Sequence, residues 1–422
     1  MTRYFGPTDS YNFAPVNYLQ VELERVSANV LGSIEISSAF EPFAELSYIR
    51  TKSPQQLAPA AAIIGTGADS VFPALINLDN PFLSPEASQA LEISFGRDSA
   101  GRRGFIGNPG VGFSVNPAFS GDADGLVSPG IISSRLEGLG PRVVDNRRDA
   151  YRGLIGFRGE IKRGWSYEAY YSRSFVAHDT FFYNSASAKR LQQALLARQL
   201  PSGEIVCIDP SNGCVPINIF GEQEISPEAA DFLRIDPVEK TRVKEQIAEM
   251  ALKGDLAELP AGTLNVVLGA NWRRTSYTFT PDDSFEEGDT LGFLKSTGAA
   301  GSTQVFEVFG EALVPIARDK RFADELSAEL GLRYSDYDSV GGVWTWKVMG
   351  NWAPFRGLRF RTGLQQAIRA PNARELYEET TTDFGFAVDP CAPINGFVLT
   401  ADLIAACERN GAAGLPDDDY ET

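Results

Sequence analysis

The chain has 422 residues, with 38 Lys and Arg against 55 Asp and Glu, a formal net charge of −17. Such acidity argues against a nucleic-acid partner, since binding to phosphates needs a cationic face. Hydrophobic residues at 43% and charged residues at 22% exclude wholesale disorder. A chain of this length divides into several soluble domains unless one large β architecture uses it all. The single histidine, His178, leaves no His-based metal site and only one residue on which a triad could be built; it reads as a loop residue at the end of a strand. No G-x-S-x-G elbow, Walker A loop or H-E-x-x-H occurs, and GNPGVG at Gly107 to Gly112 lacks the spacing of a phosphate cradle. The sequence therefore assigns no catalytic residue, no metal ligand and no cofactor, and the chain is not read as an enzyme.

From the N-terminus, MTRYFGPTDSYNF has no apolar core of a signal peptide. Nowhere does the chain reach the roughly 18 apolar residues of a membrane-spanning helix. Period two then dominates. Val26, Ala28, Val30, Gly32, Ile34 and Ile36 alternate with Ser27, Asn29, Leu31, Ser33 and Glu35, which is a strand with one apolar face because successive side chains point to opposite sides. A second strand falls at 43 to 51. Tyr151, Gly153, Ile155 and Phe157 alternate with Arg152, Leu154, Gly156 and Arg158; Trp165, Tyr167, Ala169 and Tyr171 alternate with Ser166, Glu168, Tyr170 and Ser172. After a strand at 243 to 256, Leu264, Val266, Leu268, Ala270 and Trp272 share a face opposite Asn265, Val267, Gly269, Asn271 and Arg273. A strand at 303 to 316 precedes two nearly perfect alternations, Leu326 to Ser335 and Trp344 to Trp352. The last strand, Leu358 to Arg369, sets Phe360, Leu364 and Ile368 against Arg359, Arg361, Gln365 and Arg369.

Short helices are expected at Ser187 to Arg198 and Leu399 to Arg409, within long loops. The cysteines form two local pairs. Cys207 and Cys214 bracket the turn-rich IDPSNG, and Cys391 and Cys407 bracket a longer loop. Both pairs read as disulfides of an oxidising compartment, free thiols being the other reading, and neither has the partners of a zinc site. GDADG at Gly121 to Gly125 lacks the remaining ligands of a calcium loop, and DDSFEEGD and the terminal DDDYE read as solvated loop charge.

These segments give about ten strands of about 10 to 15 residues, longer than the 5 or 6 usual in soluble sheets and enough for the 9 to 11 that cross a bilayer at a tilt. Connections supply a second argument. Short links follow Ile36, Ile161, Leu256, Ile316 and Ala353, whereas the alternate links run from Lys52 to Pro141, His178 to Arg242 and Thr280 to Ser302. Only Ser339 to Gly342 breaks the rule. Short turns on one side and long loops on the other are the asymmetry of outer-membrane barrels. Trp165, Tyr171, Phe175, Trp344, Trp346 and Trp352 lie on apolar faces near strand ends, as an aromatic girdle does. The opposite faces carry Glu160, Glu168, Glu249, Asp255, Glu307, Glu311, Glu329, Arg333, Lys347, Arg359 and Arg361, a charged interior suited to a wide lumen. The fold class is all-β, an antiparallel transmembrane β-barrel, incomplete at about ten strands.

YNFAPVNYLQ at Tyr11 to Gln20 with the following ERVSANVLGSIEISSAFEPFAELSYIR, GCVPINIFG at Gly213 to Gly221, IRAPNARELYE at Ile368 to Glu378 and DPC at Asp389 to Cys391 resemble segments of TonB-dependent outer-membrane receptors. The resemblance implies a 22-stranded barrel around an N-terminal plug, located in the bacterial outer membrane. It also implies uptake of a scarce ligand (siderophore, vitamin or oligosaccharide) powered by the TonB complex. Expected partners are thus outer-membrane lipid, the TonB complex acting through a plug, and the small-molecule or oligosaccharide ligand. On this pattern residues 1–422 form part of the barrel domain, with no signal peptide and no plug, and are not transport-competent alone. No motif selects the ligand or its binding residues. A secreted or surface β-sandwich that binds carbohydrate explains the aromatics and disulfides but not the strand lengths or loop parity; an all-β glycosidase has no carboxylate pair that stands out.

Overall fold

The structure, a computed structural model, describes residues 11–64, 74, 76–77, 79–85, 126–127, 132–162, 164–220, 225–379 and 401–409. Its dominant element is one sheet of ten strands: β1 (Glu24–Ser33), β2 (Glu41–Leu57), β3 (Arg142–Lys162), β4 (Trp165–Tyr183), β5 (Val238–Leu259), β6 (Gly262–Thr280), β7 (Ala299–Lys320), β8 (Ala323–Tyr337), β9 (Gly341–Phe355) and β10 (Leu358–Gln366). Each strand pairs antiparallel with its neighbour in the chain, so the order in space is the order in sequence. The sheet is open, with β1 and β10 as its edges among the described residues. This is the expected architecture, an antiparallel transmembrane barrel wall that does not close.

The strands run from 9 to 22 residues, longer than expected. The extra length lies at the end that carries the long links, where alternation continues but the apolar face turns polar. His178 illustrates the shift: it is not in a loop but inside β4, paired with Arg148 on β3 and Thr241 on β5. β10 is shorter than expected and stops at Gln366 rather than Arg369. β1 likewise stops at Ser33, leaving Ile34 and Ile36 in the turn region.

All turns at one end are tight. β3 and β4 meet at Gly164, whose φ of +80° lies in the left-handed region that favours glycine. β5 and β6 meet at Pro260 and Ala261, and β9 and β10 at Arg356 and Gly357. The long links, 58–141, 184–237 and 281–298, all leave from the opposite end. By the loop-length rule of outer-membrane barrels, the tight end is periplasmic and the long-link end extracellular.

The long links build a small cap of their own. Two-stranded pieces join Ala61–Ile64 to Ile132–Arg135, Ser185–Ala186 to Arg234–Ile235, and Ala197–Gln199 to Ile205–Cys207. Three helices accompany them: α1 (Ala188–Leu195), α2 (Pro227–Leu233) and α3 (Asp283–Glu286). The cap holds the fully buried apolar core, in which Ile76, Leu136, Leu191, Leu195, Ile217 and Leu233 from separate links pack together. A sandwich would need a second sheet about 10 Å from the first across the apolar face. Among the described residues no such layer exists.

Candidate functional site

The two faces of the sheet differ sharply in chemistry. On the outer face Ile155 is 65% exposed, Leu268 54%, Phe306 50% and Leu364 68%. Large apolar side chains left this bare on nearly every strand have a physical reason only if their solvent is hydrocarbon. Aromatic rings bound the face at both ends. Toward the turns, Phe157 packs between Phe40 and Tyr167, Trp352 stacks on Phe360, and the Trp352 Nε1–H donates to the Phe322 carbonyl at 2.7 Å. Toward the cap, Tyr151 lies between Tyr48 and Phe175, and Tyr334 packs on Trp344. From Trp344 to Trp352 the chain advances about 26 Å along the strand, about 20 Å across a bilayer at a tilt of about 40°, near the height of such a barrel's apolar band. Just beyond the upper rings the outer face becomes ionic, with Arg50 bound to Asp149 at 2.8 Å and Arg242 to Asp179 at 2.5 Å.

The inner face is a ladder of paired charges. Glu41 accepts the Nε–H and an Nη2–H of Arg158, Glu307 accepts Arg333 at 3.1 Å and the Ser335 hydroxyl at 2.6 Å, and Lys347 reaches both Glu311 and Glu329. Arg359 pairs with Glu325, and Glu249 and Asp255 accept the amides of Asn271 and Asn265. Cross-strand register explains the partners, because Glu41 lies opposite Arg158 and Glu307 opposite Ser335. The charged residues expected to face a lumen therefore do share one face, and five of them, Glu307, Glu311, Glu329, Arg333 and Lys347, hold one another. His178 sits here too, half-buried, with Nε2 3.1 Å from Asn146 Oδ1.

The cap is tied together by side chains that serve backbone groups. Asn77 donates to the Ala197 carbonyl at 2.7 Å and accepts the Ala197 N–H at 3.2 Å, imitating a strand pair between two links. Asn80 donates to the Leu195 carbonyl at 2.8 Å. Ser187 caps α1, and Asp289 accepts both the Ser187 hydroxyl and the Lys189 N–H, a carboxylate at a helix N-terminus. DDSFEEGD lies largely exposed, as solvated loop charge does, and three of its carboxylates also serve structure: Asp282 caps α3, Asp289 holds α1 and Glu287 pairs with Lys189, which raises that lysine's pKa. The expected helix over Ser187 to Arg198 is present as α1 but ends at Leu195.

Cys207 and Cys214 form the expected disulfide around IDPSNG. Inside that loop Asp209 accepts the Ser211 N–H, which lowers its pKa. Cys407 is disulfide-bonded and lies on α5 (Ala401–Arg409), while Cys391 lies outside the described residues. GNPGVG, GDADG, DPC and DDDYE also lie outside them. Among the described residues no group of His, Cys, Asp or Glu could hold a metal ion.

The IRAPNARELYE segment adds one feature that sequence reasoning missed. After β10 it forms α4 (Ala373–Tyr377), started by a capping box in which Asn372 and Glu375 exchange hydrogen bonds. The ring of Tyr377 lies where a side chain on Gly301 would stand, and its hydroxyl donates to the Ser302 carbonyl at 3.1 Å. Gly301 has the strand parity of Glu307, so α4 crosses the inner face at the extracellular mouth. The N-x-x-E signature was visible in the sequence; the glycine seat three strands away was not.

A single sheet with a bare apolar exterior, aromatic rims, an ionic interior and loops sorted to one end is the wall of an outer-membrane β-barrel. The family model described as TonB dependent receptor-like, beta-barrel matches residues 92–402, and the chain belongs to that family. It is a family of receptors and transporters of the bacterial outer membrane, not of enzymes. No curated protein matches the chain. Among solved structures, the closed form of the ferric-catecholate import receptor Fiu from E. coli K12 is similar over 82% of this chain and 40% of its own, at 12% identity and a TM-score of 0.34. The chain spans less than half the length of that receptor.

Proposed function

We propose that this chain is part of a receptor that captures a scarce ligand of the siderophore, vitamin or oligosaccharide class in its cap and admits it along the inner wall, with TonB supplying the energy. Residues 1–422 are taken as a portion of the barrel domain. The wall and cap do not transport alone, because TonB acts on a plug and the described residues form none. The observation that supports this reading most is the pairing of a hydrocarbon-facing exterior with an ionic interior beneath a folded cap. A passive structural barrel has no need of a shared core among three loops, whereas a ligand gate does. The test is uptake: the gene, with its native flanking sequence, is deleted and restored, and accumulation of labelled ferric siderophores, cobalamin and oligosaccharides is followed with and without TonB. Accumulation of one class, lost on deletion and lost without TonB, is expected. Recovery of the chain in the soluble fraction with no TonB-dependent uptake overturns the reading.

A further inference from the structure

Of the outer-face cations near the upper rim, Arg50, Arg147 and Arg242 are ion-paired, and Lys52 and Lys240 face Glu24 and Asp179 across the strand register. Three others face no carboxylate. Arg173 on β4 and Arg274 on β6 lie on either side of Gln246 on β5, in one cross-strand row, and Lys244 follows one outward step beyond Gln246. All three are exposed. Register places Gly153 and Gln246 beside Arg173, Gln246 and Gln304 beside Arg274, and Phe175 and Ser276 beside Lys244. No carboxylate occupies any of these neighbouring positions, in a chain whose net charge is −17. Adjacent strands are about 4.8 Å apart, so the two arginines stand about 10 Å apart at the backbone and their long side chains can meet over Gln246. That amide is itself engaged, accepting the Tyr171 hydroxyl at 2.9 Å.

Directly below the cations, on the same face, runs an open apolar groove of about 1020 Å3. Ala44, Ala169, Ala248 and Ala270 are among its lining residues; Ala248 stands between Tyr171 and Trp272 in one cross-strand row, and Ala169 and Ala270 flank Met250 in the row below. Small side chains set among large ones leave the depression open. The cluster therefore stands at the rim of the hydrocarbon, where lipid headgroups lie, and the groove leads from it into the hydrocarbon.

We propose that Arg173, Lys244 and Arg274 bind the phosphate of an outer-leaflet lipid whose acyl chain lies in the alanine groove. Two guanidinium forks and one ammonium suit a phosphate's oxygens, and the membrane supplies the counter-charge that the protein withholds. The site rests on the membrane placement of the sheet but goes beyond ligand uptake.

The test places the chain in phosphatidylcholine bilayers containing either phosphatidic acid or diacylglycerol and counts retained lipid by native mass spectrometry. Phosphatidic acid is expected to be retained over diacylglycerol, and the R173Q/K244Q/R274Q variant to lose roughly a hundredfold in that preference. R273Q, on the inner face of the same strand, is expected to keep it, and millimolar inorganic phosphate is expected not to displace the lipid. Equal retention by wild type and triple variant overturns the site while leaving the membrane placement intact. Full displacement by inorganic phosphate also overturns it, because the groove then contributes nothing. A chain that does not enter bilayers overturns the membrane placement and the site with it. Single substitutions at each position, checked by circular dichroism, separate lost binding from lost folding.

Discussion

The sheet and the cap solve opposite problems with the same amino acids. In the sheet, Leu268 and Leu364 point outward and Glu307 and Glu311 inward; in the cap, Leu191 and Leu195 are fully buried while Glu287 and Lys189 pair at the surface. The cap folds as proteins in water do, by removing apolar area from solvent. The sheet inverts that rule because its solvent is hydrocarbon on one side and water on the other. One chain can do both only because the links leave the bilayer before they gather.

That contrast predicts how each region breaks. Leu195→Ala leaves a cavity in the cap core and should cost about 2 to 5 kcal/mol there. Hydrogen exchange should show α1 and the 205–207 strand opening while β5 and β6 stay protected; opening of the sheet instead would show that the two regions fold as one. The sheet is tested by two neighbours on β6. Leu268→Arg puts a charge into lipid at a cost of about 2 to 4 kcal/mol. Val267→Arg faces inward opposite Glu311 and should be tolerated. Urea titration in bilayers measures both, and equal losses would dissolve the distinction between the faces.

Smaller effects sharpen the cap. Replacing both Cys207 and Cys214 by serine frees a short loop, and about 2 kcal/mol of local stability should go with it, read as faster proteolysis within 205–217. The smallest effect is electrostatic. Arg374 donates to Glu378 across one helical turn of α4 and holds that carboxyl below its ordinary value of 4.5, against a smaller opposing push from burial. A depressed carboxylate contributes stability that is full above its unfolded pKa and is lost as pH falls through the folded one. The docking of Tyr377 on Gly301 should therefore loosen below about pH 4.5 by about 0.3 to 0.5 kcal/mol. Exchange of the α4 amides at pH 6 and pH 3.5 tests this, and Glu378→Gln should remove the difference.

Much of this was legible in the sequence. Period two places Leu264, Val266 and Leu268 on one face whatever surrounds them, because the pleat fixes the alternation. It also fixes that Glu307, Glu311 and Arg333 share the other face. Strand count, strand order and the sorting of short and long links follow from the same pattern, and the Cys207–Cys214 bridge follows from the turn-rich IDPSNG between the two cysteines. What the alternation could not convey was where the strands end, since Arg147, Asp179 and Arg242 continue the pleat after the apolar face has stopped. His178 reads as a loop residue in the sequence for that reason.

Tertiary structure alone decided the rest. Asn77 serving Ala197, Asp289 holding α1 and Tyr377 resting on Gly301 join residues far apart in the chain, and no local pattern marks such partners. The three unpaired cations were equally hidden, because each is an ordinary polar step on its own strand until cross-strand register brings them together. A sequence states which face each side chain takes, a matter of local geometry. Which side chains then meet depends on register and on chain folding back over distance, and only the assembled sheet and cap supply that.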